Sequence, residues 1–183
     1  RMQREAMILT RTEHPNTRRI HDAGRDPTSA LPFIAMEWIP GQSLRTLLHL
    51  PMSTDQFLRL ARDMTGGLAA AHHQGIAHGC LNTDSVVITT EPSGELRARL
   101  LQLGASEPLA AQATALASPD ALPQAGFLTA YLAPEQRAGL ALDARSDVYS
   151  IGAILYHVLS GHIPSPNGGT VERLKPRAGM EVP

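Results

Sequence analysis

The feature that most constrains the fold of this sequence is an apolar helix near its carboxyl end. Residues 147–159 run from Asp147 to Leu159 and are apolar on nearly every side at helical spacing. A helix with one apolar stripe can lie on a surface, but a helix that is apolar on most sides needs protein around it. We therefore predict that this segment is the buried centre of a helical lobe. It should end at Gly161, since glycine is common just after helices.

A longer helix is predicted from Thr54 to about Gln74. Ser53 and Gln56 form a capping box, in which each side chain accepts the other residue's backbone N–H. One face carries an apolar stripe, made of Phe57, Leu60, Met64, Leu68 and Ala71. The pair Gly66-Gly67 costs the helix about 1 kcal/mol per residue relative to alanine, so it indicates close packing there. We interpret the adjacent His72 and His73 as histidines on the helix surface.

Short apolar and β-branched runs predict two pairs of antiparallel strands. The runs at 17–23 and 33–39 flank a turn-rich segment, and those at 86–89 and 96–101 flank Pro92-Ser93-Gly94. Residues 2–12 predict a further helix with one apolar face. Residues 105–125, rich in alanine, proline and serine, predict a flexible loop.

The composition is that of a globular chain and excludes several classes of protein. The 183 residues are 43% hydrophobic and 18% charged, which is enough for one domain with a sizeable core. The net charge of -1 gives no basic field for nucleic acid or for an anionic membrane. Cys80 is the only cysteine, so no intrachain disulfide can form and a reducing compartment is expected. No apolar run approaches the roughly 20 residues of a membrane span.

Four motifs, in order and at plausible spacing, resemble those of eukaryotic-like (Hanks-type) Ser/Thr protein kinases. The stretch from His78 to Ser85 has the frame of the catalytic loop H-R-D-L-x-x-x-N. Gln102-Leu103-Gly104 stands where these kinases carry D-F-G, and Ala133-Pro134-Glu135 is an intact A-P-E. The apolar helix that begins at Asp147 looks like the F helix of the kinase C-lobe.

The resemblance implies an α+β, protein-kinase-like fold in two parts. Residues 1–37 would be a partial N-lobe with the C helix and two antiparallel strands. Residues 38–183 would be the hinge and a mainly helical C-lobe, truncated after the F helix. Glu5 matches the C-helix glutamate, although it is equally well explained as an exposed helix residue. Its lysine partner and the glycine-rich loop would precede Arg1, so we expect the chain to be part of a longer protein.

The resemblance also assigns site residues. The nucleotide pocket, if retained, would include Met36, Glu37, Ile39, Val87, Leu101 and Gln102. The structural motif residues would be Glu5, Gly104, Glu135 and Asp147. Of these, Asp147 would accept backbone N–H groups of the catalytic loop. Glu135 would lack the arginine that it pairs with in kinases.

Several catalytic positions of the kinase pattern are substituted. Cys80 stands for the catalytic aspartate, Asn82 for a lysine, Ser85 for the metal-binding asparagine and Gly79 for an arginine. Ahead of A-P-E, Leu128 replaces a threonine, and Gln102 offers Mg²⁺ only a neutral oxygen. We therefore predict a pseudokinase that acts as a signalling scaffold or regulator and is not an enzyme. It would hold no metal and no cofactor, with ATP bound, if at all, without Mg²⁺.

Alternative functions stay open on the sequence. The chain could be a divergent, weakly active ATP-dependent Ser/Thr kinase, or a fragment without function. A nucleophile and base formed by Cys80 and His78 is disfavoured, because the family histidine packs inward. Expected partners are another signalling protein or an active kinase, or a second copy bound through the C-helix face, with no nucleic acid and no membrane contact. The expected location is cytoplasmic, either alone or as the cytoplasmic part of a membrane-anchored protein.

Overall fold

A computed structural model describes residues 13–101 and 129–164 of the chain. Within these ranges the chain forms five strands and four helices. The strands are β1 (Ile20–Arg25), β2 (Pro32–Met36), β3 (Gln42–Ser43), β4 (Val86–Thr90) and β5 (Leu96–Leu100). The helices are α1 (Leu44–Leu47), α2 (Thr54–His73), α3 (Pro134–Arg137) and α4 (Ala144–Ser160). The predicted helix at 2–12 and loop at 105–125 lie outside the described residues.

Strands β1 and β2 form a separate two-stranded antiparallel sheet, as predicted. Ile20 pairs with Met36 and Arg25 with Pro32, with an irregularity between Ile20 and Asp22. The turn is held by Asp26, whose Oδ1 accepts the backbone N–H groups of Thr28 and Ser29 at 3.0 and 2.7 Å. Each strand begins or ends a few residues away from its predicted bounds.

Helix α2 begins as the capping box predicts. The Ser53 N–H donates to Gln56 Oε1 at 2.9 Å, and the Gln56 N–H donates to Ser53 Oγ at 3.3 Å. Leu60, Met64, Leu68 and Ala71 are buried in one core, and Phe57 packs against it. Of the two central glycines only Gly67 is crowded, because a Cβ there would lie 2.9 Å from the Asn16 carbonyl oxygen.

Strand β5 lies between β4 and the segment that precedes β1. β4 and β5 pair antiparallel from Val86–Leu100 to Thr90–Leu96, as predicted, and β3 adds a short third strand beside β4 that the sequence did not indicate. On the other edge of β5, Asn16 Nδ2 donates to the Ala98 carbonyl at 2.9 Å. The buried Asp63 carboxylate accepts the Ala98 N–H at 3.0 Å. Asn16 and Asp63 thus provide hydrogen-bond partners for the carbonyl and N–H groups of Ala98, which point away from β4.

Helix α4 differs from the prediction in its start and in its burial. It begins at Ala144, three residues earlier than predicted, because Asp143 Oδ1 accepts the Arg145 N–H at 2.8 Å and caps it. It ends, as predicted, at Gly161, which has a φ of 72°. Ile151, Ile154 and Val158 are buried, but Val148 is 63% exposed, so among the described residues the helix is not covered on every side.

Candidate active site

The candidate site is the loop between α2 and β4, residues 78–85. It enters the core at once, because His78 and Leu81 are both fully buried. Cys80, between them, is partly exposed. The loop therefore has two anchored positions with residue 80 held toward the surface.

The Asp147 carboxylate fixes the start of this loop. Its Oδ2 accepts the His78 N–H at 2.7 Å and its Oδ1 accepts the Gly79 N–H at 2.8 Å. Asp147 is 1% exposed, so these hydrogen bonds are shielded from water and compensate for the burial of the charge. Asp147 lies where the resemblance predicted it, on the first turn of α4.

His72 is a third donor group at this carboxylate, which the sequence did not reveal. Its Nε2 lies 2.8 Å from Asp147 Oδ2, and its side chain is 19% exposed. The interpretation of His72 as a surface histidine is therefore wrong, whereas His73 is exposed as expected. The signal available in the sequence was its spacing, because His72 follows Leu68 by four residues and so lies on the same face of α2.

The His78 ring is buried and points back toward the end of β5. Its Nε2 lies 2.8 Å from the Leu101 carbonyl oxygen, which requires the proton on Nε2. Burial lowers the pKa of His78, and the nearby Asp147 charge opposes that shift in part. Nε2 already donates its hydrogen bond to the Leu101 carbonyl, so this nitrogen is not placed to accept a proton from the Cys80 thiol.

Asn82 and Ser85 fold the second half of the loop on itself. Asn82 Oδ1 accepts the Asp84 N–H at 2.8 Å, and Asn82 Nδ2 donates to the Cys80 carbonyl at 3.0 Å. Ser85 Oγ donates to the Asn82 carbonyl at 2.7 Å and accepts the Asn82 N–H at 2.9 Å. Ser85 is 3% exposed, and both of these hydrogen bonds engage its hydroxyl within the loop.

These residues do not fit a magnesium site. Mg²⁺ requires hard oxygen ligands in octahedral geometry, and the Ser85 oxygen is already used. Across residues 13–101 and 129–164 no group of three or more histidine, cysteine, aspartate or glutamate residues is arranged to hold a metal. The carboxylate of Asp84, a residue of the loop itself, pairs with Arg45 Nη1 at 2.9 Å.

The predicted nucleotide residues within the described part of the chain differ in how exposed their side chains are. Ile39 and Val87 are buried, and Met36 is 39% exposed. Glu37 is held by Arg99 in a two-pronged ion pair with both N–O distances at 2.7 Å, and these hydrogen bonds lower the pKa of Glu37. A cavity of about 430 Å³ is lined by Glu37 and Arg99 together with Glu13, Arg19 and His21, among others. Ile39, Val87 and Leu101 do not line it.

The A-P-E segment is joined to the site by two side chains. Glu135 Oε1 accepts a hydrogen bond from Ser146 Oγ at 2.5 Å, while the predicted lack of an arginine partner stays a prediction. This hydrogen bond lowers the pKa of Glu135. Gln136, which the sequence did not single out, donates from Nε2 to the Gly79 carbonyl at 2.5 Å. The predicted residues Glu5, Gln102, Gly104 and Leu128 lie outside the described part of the chain.

Comparison with known proteins gives a consistent family assignment. A family model described as "Protein kinase domain" matches residues 1–179. The serine/threonine-protein kinase pkn2 of Myxococcus xanthus is 39% identical over 171 residues, which are 90% of this chain and 19% of that protein. PknB of Mycobacterium leprae is 32% identical over 168 residues, covering 90% of this chain and 26% of the relative. This chain therefore spans about a quarter or less of the length of these two relatives.

A solved structure has the same fold. The maize SIRK1 (sucrose-induced receptor kinase 1) kinase domain bound to AMP-PNP superposes with a TM-score of 0.67 at 24% identity. The match covers 87% of this chain and 56% of that one. The predicted kinase-like fold with a partial N-lobe is confirmed. The prediction that the chain is not an enzyme is wrong, because its relatives are named serine/threonine-protein kinases, and no comparison supports a pseudokinase or a scaffold.

Proposed function

Because this chain belongs to the protein kinase domain family, we propose that it is part of a divergent, weakly active ATP-dependent Ser/Thr protein kinase. The reaction would transfer the γ-phosphoryl group of ATP to a serine or threonine hydroxyl of a protein. Its relatives bear the name of that activity, and the loop that would carry it here is held in a defined shape.

The observation that carries the proposal is the pair of hydrogen bonds between the Asp147 carboxylate and the loop backbone. The hydrogen bonds to the His78 and Gly79 N–H groups, at 2.7 and 2.8 Å, hold the backbone just before residue 80. Residue 80 corresponds to the family's catalytic aspartate. The substitution therefore changes a side chain, while the backbone that would present it keeps its support. Phosphoryl transfer depends largely on such positioning and on charge neutralisation.

The activity would be weak for a definable reason. Losing one well-placed transition-state interaction typically costs about 3 kcal/mol, or roughly a hundredfold in rate. Cys80 cannot supply a carboxylate, and Asp84 is engaged with Arg45. Positioning of ATP and of the acceptor hydroxyl supplies the remaining acceleration in this proposal. Since the described residues do not fit a magnesium site, we assign no role to a metal held by them.

We also propose a cytoplasmic setting and a protein substrate or partner from signalling. The single cysteine supports a reducing compartment. Among the described residues no helix is long and apolar enough to cross a membrane. We further propose that ATP binds near Met36, Ile39 and Val87. A second copy of the chain would bind through the segment that resembles the C helix of kinases.

The test uses the longer protein of which this chain is proposed to be part, called the parent protein below. Phosphoryl transfer by the purified parent protein is measured with radiolabelled ATP and a general Ser/Thr protein acceptor. We expect slow transfer by the unaltered protein and a rise of about a hundredfold for Cys80→Asp, which returns a carboxylate to the supported position. A contaminating kinase would not respond to a change at Cys80, so the rise identifies the activity as intrinsic. No transfer by the unaltered protein above a mock purification would overturn the proposal.

A further inference from the structure

The side chain of Gln136 links two segments that are 57 residues apart. Its Oε1 accepts the Ala133 N–H at 3.1 Å, and its Nε2 donates to the Gly79 carbonyl at 2.5 Å. The residue is only 3% exposed, so both hydrogen bonds are shielded from water. One carboxamide thus uses its acceptor on the A-P-E segment and its donor on the candidate catalytic loop.

Together with Asp147, Gln136 fixes two successive peptide groups. Asp147 Oδ1 accepts the Gly79 N–H, which belongs to the peptide between residues 78 and 79. Gln136 holds the Gly79 carbonyl, which belongs to the peptide between residues 79 and 80. The two dihedral angles of Gly79 lie between these planes, so both contacts are required to determine them.

At position 79 the backbone needs this restraint more than it would with any residue other than glycine. Its φ is 80°, in the left-handed region that glycine adopts without steric cost, and glycine has the greatest backbone freedom. Asp147 does not contact the peptide plane between residues 79 and 80, which Gln136 holds through the Gly79 carbonyl. Gln136 therefore restrains the peptide plane that leads into residue 80, and Asn82 Nδ2 restrains the plane that follows it by donating to the Cys80 carbonyl.

We propose that Gln136 is a positioning residue that fixes the orientation of residue 80, and thereby couples the A-P-E segment to the catalytic loop. The catalytic meaning of this coupling rests on the proposed kinase function. The structural part does not, because Cys80 is itself a chemical reporter. Cys80 is a partly exposed residue and directly follows the restrained glycine.

The experiment measures the rate at which iodoacetamide alkylates Cys80 in the parent protein, by mass spectrometry of the peptide that contains this thiol. In Gln136→Glu the acceptor for Ala133 is kept, but a carboxylate replaces the donor to Gly79 and repels its carbonyl. We expect alkylation to be faster by about fivefold or more without denaturant, because the loop opens locally. The matched control is Gln56→Glu, at an exposed glutamine that uses only its acceptor oxygen, with an unchanged rate.

A second variant guards against loss of the fold. Gln136→Met has similar length and removes both hydrogen bonds without adding charge, and urea unfolding reports global stability for every variant. Faster alkylation in every variant that folds supports the proposal. An unchanged rate in a folded variant overturns it, and so does failure of both variants to fold, since Gln136 would then serve the core and not the loop.

A phosphorylation assay on the same variants separates this inference from the proposed function. If the parent protein transfers phosphate, Gln136→Glu should lower kcat and leave the KM for ATP nearly unchanged. A change confined to the KM for ATP would contradict a positioning role at residue 80. If the parent protein transfers no phosphate, the kinase proposal fails, and the alkylation rates still decide the role of Gln136.

Discussion

At the scale of single residues, the candidate site depends on one buried carboxylate. Asp147 lies on the first turn of α4, where a negative charge is favourable to the helix dipole, but that is the smaller part of its role. It accepts two backbone N–H groups and faces the ring nitrogen of His72. The charge is thus satisfied from three directions by residues that precede it by about 70 positions.

Replacing Asp147 by asparagine should destabilise the fold by about 2–3 kcal/mol, because the amide N–H₂ would face a backbone donor that it cannot bind. Urea unfolding measures the change. Asp143→Asn is the matched control on the same helix and should change stability by less than about 0.5 kcal/mol, since asparagine caps helices as well as aspartate does. Equal effects of the two substitutions would show that Asp147 acts only as an acidic residue at a helix start.

His78 gives the fold a pH dependence with a definite sign. Burial holds the pKa of His78 below its ordinary value of about 6.5, so below that pH the unfolded chain binds a proton that the folded chain resists. The free energy of unfolding should therefore fall as the pH drops below about 6.5, by at most about 1.4 kcal/mol per pH unit from this group. Above that pH its contribution is fully present.

The measurement is urea unfolding between pH 5 and 8, compared between the unaltered protein and His78→Gln. We expect the variant to be less stable at pH 7.5 and to have a smaller slope below pH 6.5. An undiminished slope in His78→Gln would assign the pH dependence to other groups.

At the scale of elements, the two glycines of α2 have different roles. A Cβ on Gly67 would lie 2.9 Å from the Asn16 carbonyl oxygen and 3.1 Å from Leu100 Cδ1, whereas one on Gly66 would meet only the His14 ring at 3.4 Å. The sequence predicted close packing for the pair, and the structure assigns it to Gly67. Gly67 allows α2 to approach β5 and the Asn16 backbone beside it.

Gly66→Ala should therefore stabilise the protein by about 0.5–1 kcal/mol, the gain in helix propensity. Gly67→Ala should destabilise it by about 1 kcal/mol, because overpacking against backbone costs about 1–3 kcal/mol and exceeds that gain. Urea unfolding of the two variants tests both values. A stabilising Gly67→Ala would mean that the approach of α2 to β5 is looser than the structure has it.

At the scale of the whole molecule, the β1–β2 sheet and the segment after it expose apolar side chains. Trp38 is 86% exposed, Leu31 65%, and Phe33 and Ile34 somewhat over 40%. These four exposed apolar residues lie within positions 31–38, and large contiguous apolar patches are uncommon on soluble monomers. Over the described ranges the larger sheet and α2 have a shared core, whereas this sheet contributes few buried residues to it.

The 183-residue chain should therefore self-associate through this region. We expect the double variant Phe33→Ser, Trp38→Ser to sediment with a lower average mass than the unaltered chain at the same concentration, since less apolar area is gained on association. The control is Leu140→Ser, which removes a leucine that is as exposed as Leu31 but lies outside this region. It should leave the average mass unchanged. Association that persists in the double variant would place the contact outside this region.

Local rules in the sequence determined much of this protein. The capping box, the stripe of α2, the β4–β5 hairpin and the stop at Gly161 all act within a few residues, so they can be recognised without a fold. The motif order also predicted the loop at 78–85 and the position of Asp147.

Tertiary structure decided the rest. His72 meets Asp147, Gln136 meets Gly79, and Ser146 meets Glu135, while Val148 stays exposed on a helix that its composition predicted to be buried. These outcomes depend on which faces the packed elements turn toward one another, and the first two join residues more than 50 positions apart, where no local pattern carries the information.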